Sequence, residues 1–243
     1  MKQIYYAIQN IIRGKDSTLI KVVSLSLGLF LSIILLARVA LELSFDTFYQ
    51  DYEQLHVVQT AWENKDGKGK PSPYNIYPSG ETLMKHFPEH VESSTVIYTF
   101  IGQTLKHGNE NYSSKIVAAD SLFFQTMGIE VTSGNPVQDL QELDVIYLSD
   151  DLASRMFGGE DPIGKVVSYN KQMDLTVRGT FVDIPTNSTI RPKAVISMPS
   201  VWKRGWGNYS WLGGDSWKNY IRIKPGSDIE SLNKRMNLVV QQN

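Results

Sequence analysis

VVSLSLGLFLSIILLA, residues Val22–Ala37, decides how this chain is built. It is a run of 16 uncharged residues, closed by Lys21 on one side and Arg38 on the other. On a helix those two cations lie roughly 26 Å apart at ~1.5 Å per residue. That is near the ~30 Å hydrocarbon thickness of a bilayer, and both side chains can carry their charges into the headgroups. Lys21 and Arg38 are therefore expected at the membrane boundaries, with a transmembrane helix over residues 19–43. A buried helix of a soluble core keeps a polar stripe, whereas this run offers only three serines. A cleaved signal sequence has a short basic start and small residues before the cut. Here 21 residues precede the run, and Ala37-Arg38-Val39-Ala40 holds no acceptable small-x-small pair.

The flanks give the orientation. Lys2, Arg13, Lys15 and Lys21 precede the run, opposed only by Asp16. Glu42, Asp46, Asp51 and Glu53 come after it, with no Lys or Arg between Arg38 and Lys65. The excess of positive charge predicts a cytoplasmic N-terminus and an outer location for everything after about residue 43. Ile4, Ile8, Ile11 and Ile12 recur at helical spacing beside Tyr5 and Tyr6, which predicts an interfacial helix on the cytoplasmic leaflet over residues 1–18.

The rest of the composition is that of a folded protein. Among 243 residues, 42% are hydrophobic and 20% charged, enough for a sizeable core and too apolar for a disordered chain. A net charge of −1 argues against nucleic acid as a partner. The absence of cysteine removes thiol catalysis, disulfides and thiolate metal sites together.

Beyond the span, strand-like and helix-like stretches interleave. Strands are expected at Leu55–Trp62, Thr95–Ile101, Tyr112–Ala118 and Asn219–Lys224, with a polar loop over Asn64–Lys70. Met173, Leu175, Val177, Gly179 and Phe181 alternate with Asp174, Thr176, Arg178 and Thr180, the period of a half-buried strand. Helices are expected after Ser79 (stopped by Pro88), after Asp120 (closed by Gly128) and after Ser149 or Asp150 (closed by Gly158). A last one has Ser227 and Glu230 as a capping box and a stripe of Ile229, Leu232, Met236, Val239 and Val240. The pattern is α+β.

Chemistry-bearing motifs are few. GEDPIGK, Gly159–Lys165, has phosphate-loop spacing, but Val166 replaces the magnesium-binding hydroxyl and Glu160-Asp161 would face the phosphates. The residues after Lys165 read as strand, whereas a phosphate loop opens a helix. His86 and His90 have helical metal-pair spacing, broken by Pro88 between them. Trp202, Trp206, Trp211 and Trp217 with Tyr209 could stack on a sugar, and read more simply as loop anchors. No catalytic, cofactor or metal site emerges, and the chain reads as non-catalytic with no substrate-binding residue assigned.

Several blocks together resemble one family. They are YYAIQNIIRGK (Tyr5–Lys15), ELSFD (Glu42–Asp46), VAADSLFFQTMGIEVTSGNP (Val117–Pro136), IYLSDDLASRMFGGEDPIGK (Ile146–Lys165), VRGTFVDIPTNSTI (Val177–Ile190) and YIRIKPGSDIESLNKRM (Tyr220–Met236). In this order they resemble the N-terminal half-unit of a MacB/FtsX-type ABC transporter permease: a first transmembrane helix and a MacB-like periplasmic core domain. The resemblance implies a porter-like α+β part from residues 46–142 and 201–243 and a smaller inserted β-rich subdomain at residues 143–200. It casts Gly158, Asp161, Pro162, Gly164, Lys165, Asp183, Pro185 and Asn187 as turn formers rather than ligands. It also implies residence in the bacterial cytoplasmic membrane, further spans after Asn243, a cytoplasmic ATPase subunit and a second permease copy or partner permease. A periplasmic adaptor or hydrolase would be an additional partner, and membrane lipid surrounds the span. The implied role is transmission of ATP-driven motion to the outer domain, for substrate export, lipoprotein release or hydrolase control. The alternative is the extracytoplasmic ligand-sensing domain of a membrane-anchored receptor.

Overall fold

A computed structural model describes residues 17–61, 63–64, 67–99, 104–207, 210 and 216–240, together with residues 3, 5, 6 and 9. The expected interfacial helix over 1–18 falls largely outside these residues, as do Tyr209 and Trp211. The described chain divides into two compact units, Met1–Phe45 and Asp46–Asn243.

The first unit holds helix α1, Ser17–Leu43. Among the described residues it is the one helix long and apolar enough to cross a membrane, over Ile20–Leu43, and none of that stretch is buried by the rest of the chain. Leu25, Leu35 and Leu36 are all more than 60% exposed. A helix this long, apolar on every side, has the length and composition of a membrane span.

The second unit is α+β. In chain order it has β1 (Leu55–Val57), β2 (Glu63–Asn64), β3 (Gly67–Lys68), α2 (Ser79–His86), β4 (Val91–Thr99), β5 (Thr104–His107), β6 (Glu110–Ser113) and β7 (Ile116–Ala119). Next come α3 (Phe123–Met127), β8 (Val131–Ser133), α4 (Pro136–Asp139), β9 (Val145–Ser149), α5 (Asp150–Phe157), β10 (Val166–Tyr169) and β11 (Met173–Phe181). The chain continues through β12 (Ala194–Ser197), α6 (Met198–Lys203), β13 (Trp217–Ile223) and α7 (Ile229–Val240).

One mixed sheet runs β1-β13-β4-β7-β12-β9-β11-β10-β5-β6, with β8 added alongside β11. The β7–β12 and β9–β11 pairs are parallel and the others antiparallel. Residues 143–200 supply β9 to β12 to the middle of this sheet. Both faces are covered, and the two-residue period decides which side chain goes where. In β9, Ile146 and Leu148 join Leu152 and Met156 of α5 in one cluster, while Val145 and Tyr147 join Phe123 and Phe124 of α3 in the other. That double burial is why VIYL reads as an unbroken apolar run. A third cluster closes the domain's ends, Leu232 of α7 meeting Leu83 and Phe87 of the α2 region over Ile221 and Ile223.

Three expectations are corrected. Tyr112–Ala118 is two strands: exposed β6 folds back on β5, whereas buried β7 crosses to the middle of the sheet. The polar Asn64–Lys70 segment holds most of the small β2–β3 hairpin. The last helix is capped by Asp228, whose Oδ1 accepts the Glu230 and Ser231 amides at 3.0 and 3.1 Å, and Ser227 lies in the turn before it. The carboxylate is one residue nearer the orphan amides, so it prevails.

Candidate functional site

The segment after α1 is fastened to the domain as soon as it begins. Asp46 adopts a left-handed backbone, φ +59°, a conformation Asp tolerates better than most residues. Its amide donates to the Asn187 carbonyl at 3.0 Å. Its carboxylate forks over Thr189, Oδ1 accepting the backbone amide and Oδ2 the hydroxyl, both at 2.6 Å. Two short charge-assisted bonds from one side chain fix position and direction together. Three residues on, the buried Tyr49 hydroxyl donates to the Ile190 carbonyl. Burial, with the Asp46 charge adding to it, pushes the Tyr49 phenol up and keeps it a donor; Tyr220 is raised for the same two reasons.

Arg222 of β13 makes the third fastening. Its side chain is buried and its guanidinium reaches three carbonyls: Thr126 at 3.0 Å, Gln50 at 2.9 Å and Asp51 at 3.3 Å. The fixed fork of an arginine suits this arrangement, which a lysine would not reproduce. Gly128 makes room for it. Its φ is +67°, and a Cβ there would sit 2.8 Å from Arg222 Nη2 and 2.8 Å from the Gln50 carbonyl oxygen. The Gln50 amide closes the loop by donating to the Gly128 carbonyl at 3.2 Å. Residues 46–51 are thus held by the 187–190 turn, the end of α3 and β13.

The 183–190 segment is itself tied to α5. Asp183 Oδ2 accepts the Asp151 amide at 2.8 Å in the first turn of that helix, and Oδ1 accepts from Lys193. Burial alone would raise the Asp183 carboxyl, but bonds from Lys193, the Asp151 amide and Ser149 outweigh it and hold it below the usual range. At the other end of α5, Gly158 takes φ +63° and donates to the Ser154 carbonyl. In the next turn Asp161 accepts the Ile163 amide at 3.0 Å and the Pro162 carbonyl accepts the Lys165 amide. Gly164 there has φ +79° and donates to Val177. Lys165 pairs with Glu160 and lies 4.9 Å over the Phe157 ring. Strand β10 comes next, where a phosphate loop would open a helix.

The remaining residues singled out in the sequence lie apart. Lys21 is in α1, and Arg38 pairs with Glu42 one turn on. His86 Nδ1 faces its own helix's Thr82 carbonyl, while His90 Nδ1 faces Ser227, so the two imidazoles do not converge. Among the described residues no three His, Asp or Glu side chains form a metal-holding group. Trp217 is fully buried between Tyr77 and Tyr98, ring centroids 5.1 and 4.9 Å away. Trp206 packs on Tyr169. These two rings are anchors. Sequence reasoning missed the fastening: ELSFD and DIPTNST stand out as blocks, yet nothing in either says that Asp46 meets Thr189, 143 positions away.

The mixed-sheet α+β fold is shared with solved domains of other proteins. A domain of a putative permease protein from Porphyromonas gingivalis matches with a TM-score of 0.66 and 22% identity, covering 80% of this chain and 83% of that one. The periplasmic region of MacB from Actinobacillus actinomycetemcomitans matches at 0.55 and 18%, over 70% and 74%. The extracellular domain of the noncanonic ABC-type transporter YknZ from Gram-positive bacteria matches at 0.57 and 12%, over 77% and 94%. At these identities the likeness is one of fold. No curated protein matches the sequence. The family model for the MacB-like periplasmic core domain matches residues 18–239, and the chain belongs to that family.

Proposed function

We propose that this chain is the N-terminal half-unit of an ABC transporter permease whose outer domain is moved by its membrane helices. In this reading α1 crosses the bacterial cytoplasmic membrane, residues 1–18 lie on the cytoplasmic side, and residues from Asp46 onward lie outside. The basic residues before the helix and the acidic run after it support that orientation. A cytoplasmic ATPase subunit supplies the motion, and a second permease copy completes the assembly. The outer domain passes the motion to substrate export, to lipoprotein release, or to a periplasmic adaptor or hydrolase.

One observation carries the proposal: Asp46, separated from Leu43 only by Ser44 and Phe45, is already clamped to Asn187 and Thr189. Those two residues leave no slack to absorb displacement. The clamp adds to the strand pairing that already ties the expected porter-like part (46–142 and 201–243) to the smaller part (143–200), so displacement at Asp46 would enter both. Gly158, Asp161, Pro162, Gly164, Lys165, Asp183, Pro185 and Asn187 act here by shaping backbone around α5 and the clamp. No step of this function requires bond-breaking chemistry in this chain.

The test is an insertion of about ten Gly/Ser residues between Leu43 and Ser44 in the full-length permease. Loop entropy makes this nearly neutral for folding. Assembly with the ATPase should persist while the transported or regulated output is lost. Full output from the lengthened protein would make the outer domain a passive platform.

A further inference from the structure

A cavity of about 230 Å³ opens between α2 and the start of α3, over β4. Its volume is below that of a drug-sized site and suits a group the size of one side chain. Two carboxylates border it, Glu81 on α2 and Asp120 just before α3, and among the described residues no Lys, Arg or His lines it. Met84 and Leu122 make apolar walls, and Tyr77 lines the same space.

The polar groups here have capacity to spare. Asp120 Oδ1 accepts from Thr95 Oγ1 at 2.8 Å and the Leu122 amide at 3.0 Å, whereas among the described residues Oδ2 accepts only the Val96 amide, at 3.0 Å. Ser94 lines the cavity and is 5% exposed, and among the described residues its hydroxyl has as partner only the Met84 sulfur, at 3.9 Å. A buried hydroxyl left with a thioether is unusual, since buried polar atoms find proper partners. Glu81 is exposed and pairs along the helix with Lys85. Burial, with Glu81 adding to it, raises the Asp120 carboxyl to about 6 despite its three donors.

We propose that this cavity binds a side-chain-sized organic cation, an alkylammonium or alkylguanidinium group. The charged head sits between Asp120 and Glu81, bonded to the free lone pairs of Asp120 Oδ2 and Ser94 Oγ. The alkyl stem lies along Met84 and Leu122. Tyr77, an aromatic in the lining, is of the residue type beside which such cations are favoured. The source is either a free amine or a Lys or Arg side chain presented by a protein partner.

The experiment is equilibrium dialysis of labelled n-butylguanidinium against the full chain in lipid nanodiscs. Saturable binding is expected, displaced by n-butylammonium and not by n-butanol. Glu81→Gln should weaken it about tenfold, the effect of one charge-assisted contact. Because Glu81 is exposed, this variant reports on binding even where Asp120→Asn perturbs folding. Lys85→Gln, which frees Glu81, should tighten binding about threefold. Acetyl-Gly-Arg-Gly-amide binding tighter than butylguanidinium assigns the source to a partner's side chain, and weaker binding assigns it to a free amine. No saturable uptake, equal displacement by n-butanol, or unchanged affinity in Glu81→Gln overturns the proposal.

Discussion

Replacing Asp46 by glycine removes the carboxylate fork on Thr189 and at the same time relaxes the left-handed backbone. Each lost bond is worth about 1 kcal/mol net at an exposed site, so the pair contributes about 2 kcal/mol. Relief at φ +59° returns about 1 kcal/mol, leaving a net global cost of about 1 kcal/mol. Asp46→Ala keeps the strain and loses the bonds, so it should cost about 1 kcal/mol more than Asp46→Gly. The local effect is larger than the global one. The Thr189 amide, which donates to Asp46 Oδ1 at 2.6 Å, should lose about tenfold or more in hydrogen-exchange protection, each 1.4 kcal/mol being tenfold. Thr189→Val removes only the hydroxyl bond, and combining it with Asp46→Gly should give a coupling energy of about 1 kcal/mol. Exchange measured on the full chain by mass spectrometry, with denaturant unfolding followed by tryptophan fluorescence, reads both quantities. Unchanged protection at Thr189 in Asp46→Gly, or a coupling of zero, would show that the fork carries no energy and that the clamp reasoning fails.

Gly128→Ala puts a Cβ 2.8 Å from both Arg222 Nη2 and the Gln50 oxygen at positive φ, and should cost at least about 2 kcal/mol, read as a shift in the denaturation midpoint. Asp120, raised to about 6 from an ordinary 3.8, favours its neutral form when folded. Its contribution is therefore full below about pH 4 and is lost as pH rises through 6. Stability of the natural chain relative to Asp120→Asn should fall by on the order of 2–3 kcal/mol between pH 4 and 7, and a pH-independent difference would contradict it. Cysteines placed at Gln3 and Lys68 of this cysteine-free chain should show opposite accessibility to an impermeant thiol reagent in spheroplasts. Labelling at Gln3 and not at Lys68 would reverse the orientation.

Local features were legible in the sequence because they depend on near neighbours. The alternation across β11 shows in its burial, with Met173, Leu175 and Val177 inward. Gly128 and Gly158 close their helices in left-handed conformation, and Ser149 caps α5. The limits failed where two neighbouring residues compete for one role. Asp228 displaces Ser227 as a cap, and Ser79 is the first residue of α2 rather than its cap, its hydroxyl donating to the Ile76 carbonyl. Strand order was illegible for another reason. Periodicity says that Leu55 and Arg222 are in strands, yet their pairing depends on which surfaces remain uncovered after everything between them has folded. The clamp depends on both kinds of information. Asp46 and Thr189 carry no apolar signature, and only the sheet brings them together.

The place of β13 bears on how the protein is made. This strand lies between β1 and β4, and Arg222 meets Gln50 across 172 positions of chain. The 46–51 segment and the first strand are therefore synthesised long before the residues that hold them exist. During that interval β4 presents an open edge, with Ile97 and Val96 still lacking their final cover. Such a nascent chain is slow to fold and prone to wrong pairing until β13 has been made. Lesions in β13 should then appear first as degradation of newly made protein rather than as a loss of performance in the mature one.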